Sequence, residues 1–190
     1  MSTENWVILG VAIAIALYFI TLYNGLVSLK HNVTKAWANI DVLLKQRHDE
    51  LPKLVAACKE VMKFEQDTLE KVIRARSGVA TARQSGNVKA VGRAETTLRA
   101  GLGNLFALAE SYPELKSNES FQQLQSRISS LENTIADRRE LYNETVNNNN
   151  VRIEQFPDVL IASRFNFKAA DLLEFEEAEL KDVNISKLFN

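Results

Sequence analysis

The sequence predicts an all-α protein. An N-terminal single transmembrane helix is followed by an elongated antiparallel bundle of three to four long helices and an irregular C-terminal tail. Three observations predict this. One uncharged apolar run lies near the start. Apolar residues recur at three- and four-residue spacing through most of the chain beyond it. Only 7 glycines and 3 prolines punctuate 190 residues, too few for the tight turns of a many-stranded sheet.

The apolar run is Trp6 to Tyr23, WVILGVAIAIALYFITLY. A helix rises about 1.5 Å per residue, so the run spans roughly 27 Å, close to a bilayer's hydrocarbon core. Trp6 and Tyr23 stand at its ends, where amphipathic rings favour the headgroup level. Leu9, Ile13, Leu17, Tyr18 and Ile20 supply the body of the anchor. A cleaved signal peptide would need a basic start and a shorter apolar run. Here the only charged side chain before the run is Glu4, and Ala-x-Ala occurs inside the run rather than after it. Lysine and arginine come after the run (Lys30, Lys35, Lys45, Arg47) and none precedes it. The positive-inside rule therefore predicts a cytoplasmic helical domain with the N-terminus outside.

Three regions are expected: an anchor over 1–25, a helical bundle over 26–157 and an apolar tail over 158–190. The first bundle helix carries a long apolar stripe through Val33, Trp37, Ile40, Leu44, Arg47, Leu51, Leu54, Cys58, Val61, Glu65, Leu69 and Val72. Its phase holds across Pro52, so the proline is expected to kink the helix rather than end it. The stronger turn signal is Gln84-Ser85-Gly86-Asn87, which places the end of this helix near Arg83. A second helix is expected from about Val88 to Ser111, stopped by Tyr112-Pro113. Its stripe is Val91, Ala94, Leu98, Leu102, Leu105 and Ala109. Gly101 and Gly103 inside it mark either a close approach of another helix or a helix interior whose packing tolerates them. A third helix runs from an N-cap at Asn118 to about Gln155. With three helices, parity carries the end of the third away from the membrane. The tail after Pro157 is rich in large apolar groups and is expected to pack on the bundle, a neighbouring subunit or lipid.

Several polar residues fall on the stripes: Arg47, Glu65, Arg138 and Asn149. If buried, each needs a partner; otherwise their heads reach out to solvent. Together with Trp37, Tyr142, Phe165 and Phe167 they make the candidate bundle or subunit interface. The asparagine run Asn147 to Asn150 reads either as a solvated, weakly helical end or as a hydrogen-bonding position that sets register.

Chemistry is sparse. The net charge of −1 gives no global case for nucleic acid. The single cysteine, Cys58, excludes an intramolecular disulfide and lies in an apolar row, as a buried inert thiol would. His31 and His48 stand far apart on one helix, and no metal-ligand spacing, phosphate loop or nucleophile motif occurs. No cofactor and no enzymatic activity are expected.

Several segments resemble the LemA family. They include Tyr23-Asn24-Gly25-Leu26-Val27, Ala36-Trp37-Ala38-Asn39-Ile40-Asp41, Leu51-Pro52-Lys53-Leu54-Val55 and Leu69-Glu70 with Val72, Ala75 and Arg76. Leu108-Ala109-Glu110-Ser111-Tyr112-Pro113, Leu131-Glu132-Asn133 with Ile135 and Arg139, Tyr142-Asn143-Glu144, Phe156-Pro157 and Phe165-Asn166-Phe167-Lys168 come next, in the family's order. Where the family often has a histidine before the glutamate, this chain has Phe64-Glu65. The resemblance implies a bacterial single-pass membrane protein with a helical domain and no agreed biochemical activity. It also brings relatives that take part in forming magnetosome membranes or are linked to a membrane metallopeptidase. The expected function is that of a non-enzymatic protein, with the lipid bilayer and copies of itself as partners. It would self-associate and scaffold or remodel the cytoplasmic membrane. The alternative is a membrane-bound adaptor for a partner such as a membrane peptidase.

Overall fold

The computed structural model describes residues 3–174. The rest of the apolar tail, including Phe175 and the acidic residues after it, lies outside them. No strand occurs among the described residues. The helices are α1 (Thr3–Val61), α2 (Gln66–Gln84), α3 (Val88–Ala109), α4 (Pro113–Lys116), α5 (Glu119–Glu154) and α6 (Asp158–Arg164).

α1 contains the apolar run. Every side chain from Thr3 to Thr21 is exposed, and Leu22 is the first to be buried. The helix is long and apolar enough to cross a membrane. It continues through Asn24-Gly25 without a break, and Pro52 lies inside it.

The first bundle helix does not run to Arg83. It stops at Val61, and Met62–Glu65 turn the chain into α2. The turn is closed by backbone bonds from Met62 N–H to Cys58 C=O (2.8 Å) and from Glu65 N–H to Met62 C=O (3.2 Å). α2 then runs back along α1. The Arg76 Nε donates to the His48 carbonyl at 2.9 Å, and the Arg83 Nε donates to Asp41 Oδ1 at 2.7 Å. The unbroken stripe has a physical cause. Leu54, Cys58 and Met62 before the turn and Leu69 and Val72 after it all enter one buried cluster. A hairpin folded over a shared core keeps its apolar phase as well as a straight helix does.

The remaining boundaries obey local chemistry. Gly86, at φ 67°, takes the left-handed conformation that ends α2. The Asn87 side chain accepts from Ala90 N–H at 3.0 Å and caps α3. Pro113 opens α4, where its missing N–H costs nothing. The Asn118 side chain accepts from Phe121 N–H at 3.1 Å, so the expected N-cap starts α5. The Asn147–Asn150 run is helical, not frayed. The tail opens with the short helix α6, where irregular chain was expected. It ends in a Schellman arrangement: Asn166 is left-handed at φ 57°, and Phe167 N–H bonds back to the Ala162 carbonyl at 2.9 Å.

The chain divides into two compact units. The first comprises Met1–Ala38 and Glu140–Asp171. Its interior joins Leu22 and Leu26 of α1 to Ile153 of α5 and to Ile161 and Ala162 of α6, with Phe167 packed against them. The end of α5 therefore lies beside the start of the bundle, next to the apolar run. Parity on three helices would carry this end away from the apolar run; the hairpin at 62–65 adds one reversal. The second unit comprises Asn39–Arg139 and the chain from Leu172. Its core gathers Leu51, Leu54 and Cys58, the inner faces of α2 and α3, Leu115, Phe121 and Ile128.

The tightest backbone approach to a glycine of α3 is at Gly92; α2 reaches Gly101 at ordinary contact, its Val72 Cα 4.0 Å from where a Cβ would lie, and Gly103 is open. A Cβ on Gly92 would collide with the Glu174 carbonyl oxygen of the tail. One on Gly101 would meet Val72 Cγ2 at 3.6 Å, an ordinary contact, and one on Gly103 would meet nothing within 4 Å.

Candidate functional site

In the second unit, Arg47 is 1% exposed. α1 directs it inward from the stripe position between Leu44 and Leu51. Its Nη2 donates to both carboxylate oxygens of Glu95 on α3, at 2.5 and 2.6 Å, and its Nη1 donates to Glu132 Oε1 on α5. Arg99 Nε lies 3.1 Å from Glu132 Oε2. Two guanidinium groups thus face two carboxylates, and the charges cancel inside the cluster. Burial alone would lower the Arg47 pKa, but the Glu95 and Glu132 carboxylates outweigh it and hold it above its usual value. At the rim, Glu50 pairs with Lys53 (3.2 Å) and Arg127 (2.8 Å). Such a closed cluster fixes the register of three helices and leaves neither carboxylate free as a base.

Glu95 and Glu132 are absent from the residues that the sequence marks as an interface. A signal for Glu95 exists: Val91, Glu95, Leu98, Leu102, Leu105 and Ala109 form an unbroken 4-3-4-3-4 series with the charge on the core position. The expected stripe takes Ala94 in its place, and Ala94 is only half-buried.

The other expected positions serve separate purposes. Glu65, half-buried beside the α1–α2 turn, accepts the Tyr112 hydroxyl at 3.2 Å. Arg138 is exposed on α5. Trp37 packs on Tyr142, with ring centroids 5.6 Å apart. The Tyr142 hydroxyl donates to the Asp171 carbonyl at 2.8 Å, and burial, helped by the Asp171 charge, pushes its pKa up to about 12. Asn149 is buried and donates to Asn150 Oδ1 at 3.1 Å. Asn150 in turn brackets the tail: it donates to the Ala170 carbonyl and accepts from Ala170 N–H, both at 2.9 Å. Cys58 is buried, and burial pushes its thiol up to about 11, so it is inert near neutral pH. Among the described residues no group of three or more His, Cys, Asp or Glu side chains is placed to hold a metal ion.

The first unit carries a different feature. An open apolar groove of about 490 Å³ lies between α1 at Phe19, Ile20 and Tyr23 and the end of α6 at Leu160, Ile161 and Phe165, with Arg164 as its one charged wall among the described residues. Tyr23 holds the tail edge-on, 5.0 Å from the Phe165 ring and 5.9 Å from the Phe167 ring.

An all-helical chain led by one exposed apolar helix, with its buried charges neutralised internally, is a membrane-associated helical protein. It belongs to the LemA family, which matches it over residues 36–186. It is also similar to Magnetosome protein MamQ 1 and Magnetosome protein MamQ 2 of Paramagnetospirillum magneticum. Each is 29% identical over 104 residues, 55% of this chain and 38% of the relative. The match thus spans well under half the length of those relatives.

Proposed function

We propose that this chain is a non-enzymatic single-pass protein of the cytoplasmic membrane, with its N-terminus outside and its helical domain in the cytoplasm. It self-associates through that domain and so scaffolds or remodels the bilayer. The observation that carries this reading is the continuity of α1. The exposed apolar segment passes into the packed part of the first unit with no loop between Thr21 and Leu26. A helix without a joint ties the orientation of the domain to that of the anchor, so assembling the domains also sets the spacing of the spans. Membership of the LemA family and similarity to the two magnetosome proteins support the membrane-associated part of this reading. The test is reconstitution of the pure full-length protein into phosphatidylethanolamine–phosphatidylglycerol liposomes imaged by electron cryomicroscopy. Ordered patches or altered curvature are expected, whereas protein scattered singly over unchanged spheres overturns the proposal.

A second reading, an adaptor for a membrane-bound partner such as a peptidase, draws on Phe64. It stands 96% exposed in the α1–α2 turn, where its ring is open to a partner. Under this reading Phe64→Ser abolishes cross-linking to a partner in native membranes and leaves self-assembly intact.

A further inference from the structure

The groove between α1 and α6 is built where the bilayer surface would fall. Its α1 wall, Phe19 to Tyr23, is the last stretch of the exposed apolar run. Its α6 wall leaves Leu160 53% exposed and Phe165 59% exposed, so the lipid-facing surface of the span continues onto the tail. Its position as a continuation of the membrane-length apolar run favours hydrocarbon as the cover for this surface.

A second hollow of about 450 Å³ opens in the same unit. Phe167, which belongs with Phe165 to the ring cluster around Tyr23, is part of its wall, together with Lys30, Thr34, Asn149 and Lys168 among others. Lys30 lies seven residues beyond Tyr23 on α1, about 10 Å further along the helix. Among the described residues neither hollow has an aspartate or glutamate in its wall. Arg164, Lys30 and Lys168 make no ion pair among the described residues. Asp158, the acidic group on α6, is already held by Arg152 at 2.8 Å. An apolar slot with Arg164 in its wall, followed by a polar hollow lined by Lys30 and Lys168, all three unpaired among the described residues, has the order of groups found in a phospholipid.

We propose that this unit holds one anionic phospholipid from the surrounding bilayer. An acyl chain lies in the groove against Phe19, Tyr23 and Phe165, and the phosphate is held among Arg164, Lys30 and Lys168. The site rests on the reading that the apolar run spans the membrane, and it adds a lipid preference that anchoring alone does not require.

The test uses full-length protein in nanodiscs, in a Trp6→Phe/Trp37→Phe background. Phe165→Trp reports on the groove and Ile13→Trp on the span. Brominated acyl chains are supplied on phosphatidylglycerol or on phosphatidylcholine at equal mole fraction. Trp at position 13 is expected to be quenched equally by both; no quenching there overturns the membrane reading itself. Trp at position 165 is expected to be quenched more by brominated phosphatidylglycerol. Reversing Arg164, Lys30 and Lys168 to glutamate is expected to abolish that preference, each lost charge weakening retention by about fivefold. Equal quenching at position 165 by both lipids, or a preference that survives the reversals, overturns the lipid site while leaving the anchor intact. Leu160→Trp gives the same readout if the substitution at 165 disturbs the tail.

Discussion

Arg47 holds both oxygens of the Glu95 carboxylate, at 2.5 and 2.6 Å, with the two side chains 1% and 0% exposed. The pair connects α1 to α3, and Glu132 extends it to α5. Removing one member leaves a buried charge without its partner, which typically costs about 3–5 kcal/mol, whereas replacing a whole pair by apolar groups is often close to neutral. Arg47→Met is therefore expected to lower unfolding stability by about 3–5 kcal/mol, and Arg47→Met/Glu95→Leu to recover most of that loss, since Glu132 keeps Arg99. Urea unfolding followed by circular dichroism measures both. A double variant as unstable as the single one contradicts the neutralised-cluster reading.

The glycines of α3 separate by what lies over them. Gly103 has open space above it and Gly92 has the tail backbone. Gly103→Ala is expected to stabilise by about 1 kcal/mol through helix propensity. Gly92→Ala must push the chain at Glu174 off α3 and is expected to destabilise by about 1–3 kcal/mol despite the same propensity gain. Equal effects at the two sites, read by the same unfolding assay, remove the tail contact from consideration.

Asn150 is the clasp that keeps the tail on α5, because its amide satisfies both backbone groups of Ala170. Asn150→Ala removes both hydrogen bonds to the tail and the one accepted from Asn149, each worth about 1 kcal/mol net. Hydrogen exchange at the Ala170 amide is expected to quicken by roughly ten- to a hundredfold, with little change in the second unit. Unaltered exchange at Ala170 means that the apolar contacts alone hold the tail.

His48 gives the protein a pH dependence of definite sign. Its Nδ1 is buried without a partner, and Arg76 binds its carbonyl. Burial first, then the Arg76 charge, lowers its pKa below the usual 6.5, with Asp49 opposing and Arg83 and Arg47 adding to the shift. The unfolded chain therefore takes up this proton before the folded one does. The stability tied to neutral His48 is complete above about pH 6.5 and is lost as pH falls from there through the folded pKa. His48→Gln is expected to flatten the melting temperature between about pH 7 and pH 5 relative to the wild type. Parallel curves contradict the assignment.

Helix content, the long exposed apolar helix, the Asn118 cap and the buried Cys58 are all legible in the sequence, because each depends on local spacing or composition. The hairpin at Met62–Glu65 is not. Lys63-Phe64 contains neither glycine nor proline, and the apolar phase crosses it undisturbed because both arms line one core. That single reversal also accounts for the end of α5 packing beside Leu22 and Leu26 of α1, where parity would carry it away from the apolar run. Arg47 is legible as a charge on a core stripe, but its partners are not: α3 and α5 supply Glu95 and Glu132 from far along the chain, and only the fold brings them to the arginine. Asn149 and Asn150 stand out as part of a polar run, yet their hydrogen bonding goes to each other and to the tail backbone, which sequence spacing cannot register. Gly92 gives no signal beyond being a glycine, since the carbonyl that crosses it comes from Glu174.

Self-association is tested most directly by the mass of the full-length protein in mild detergent, measured by mass photometry with electron-microscope imaging of the same sample. One large, uniform species is the expected result, with α1 anchors gathered on one side of the particle. A monomer contradicts self-association and leaves the adaptor reading, with its partner to be found by cross-linking in the native membrane.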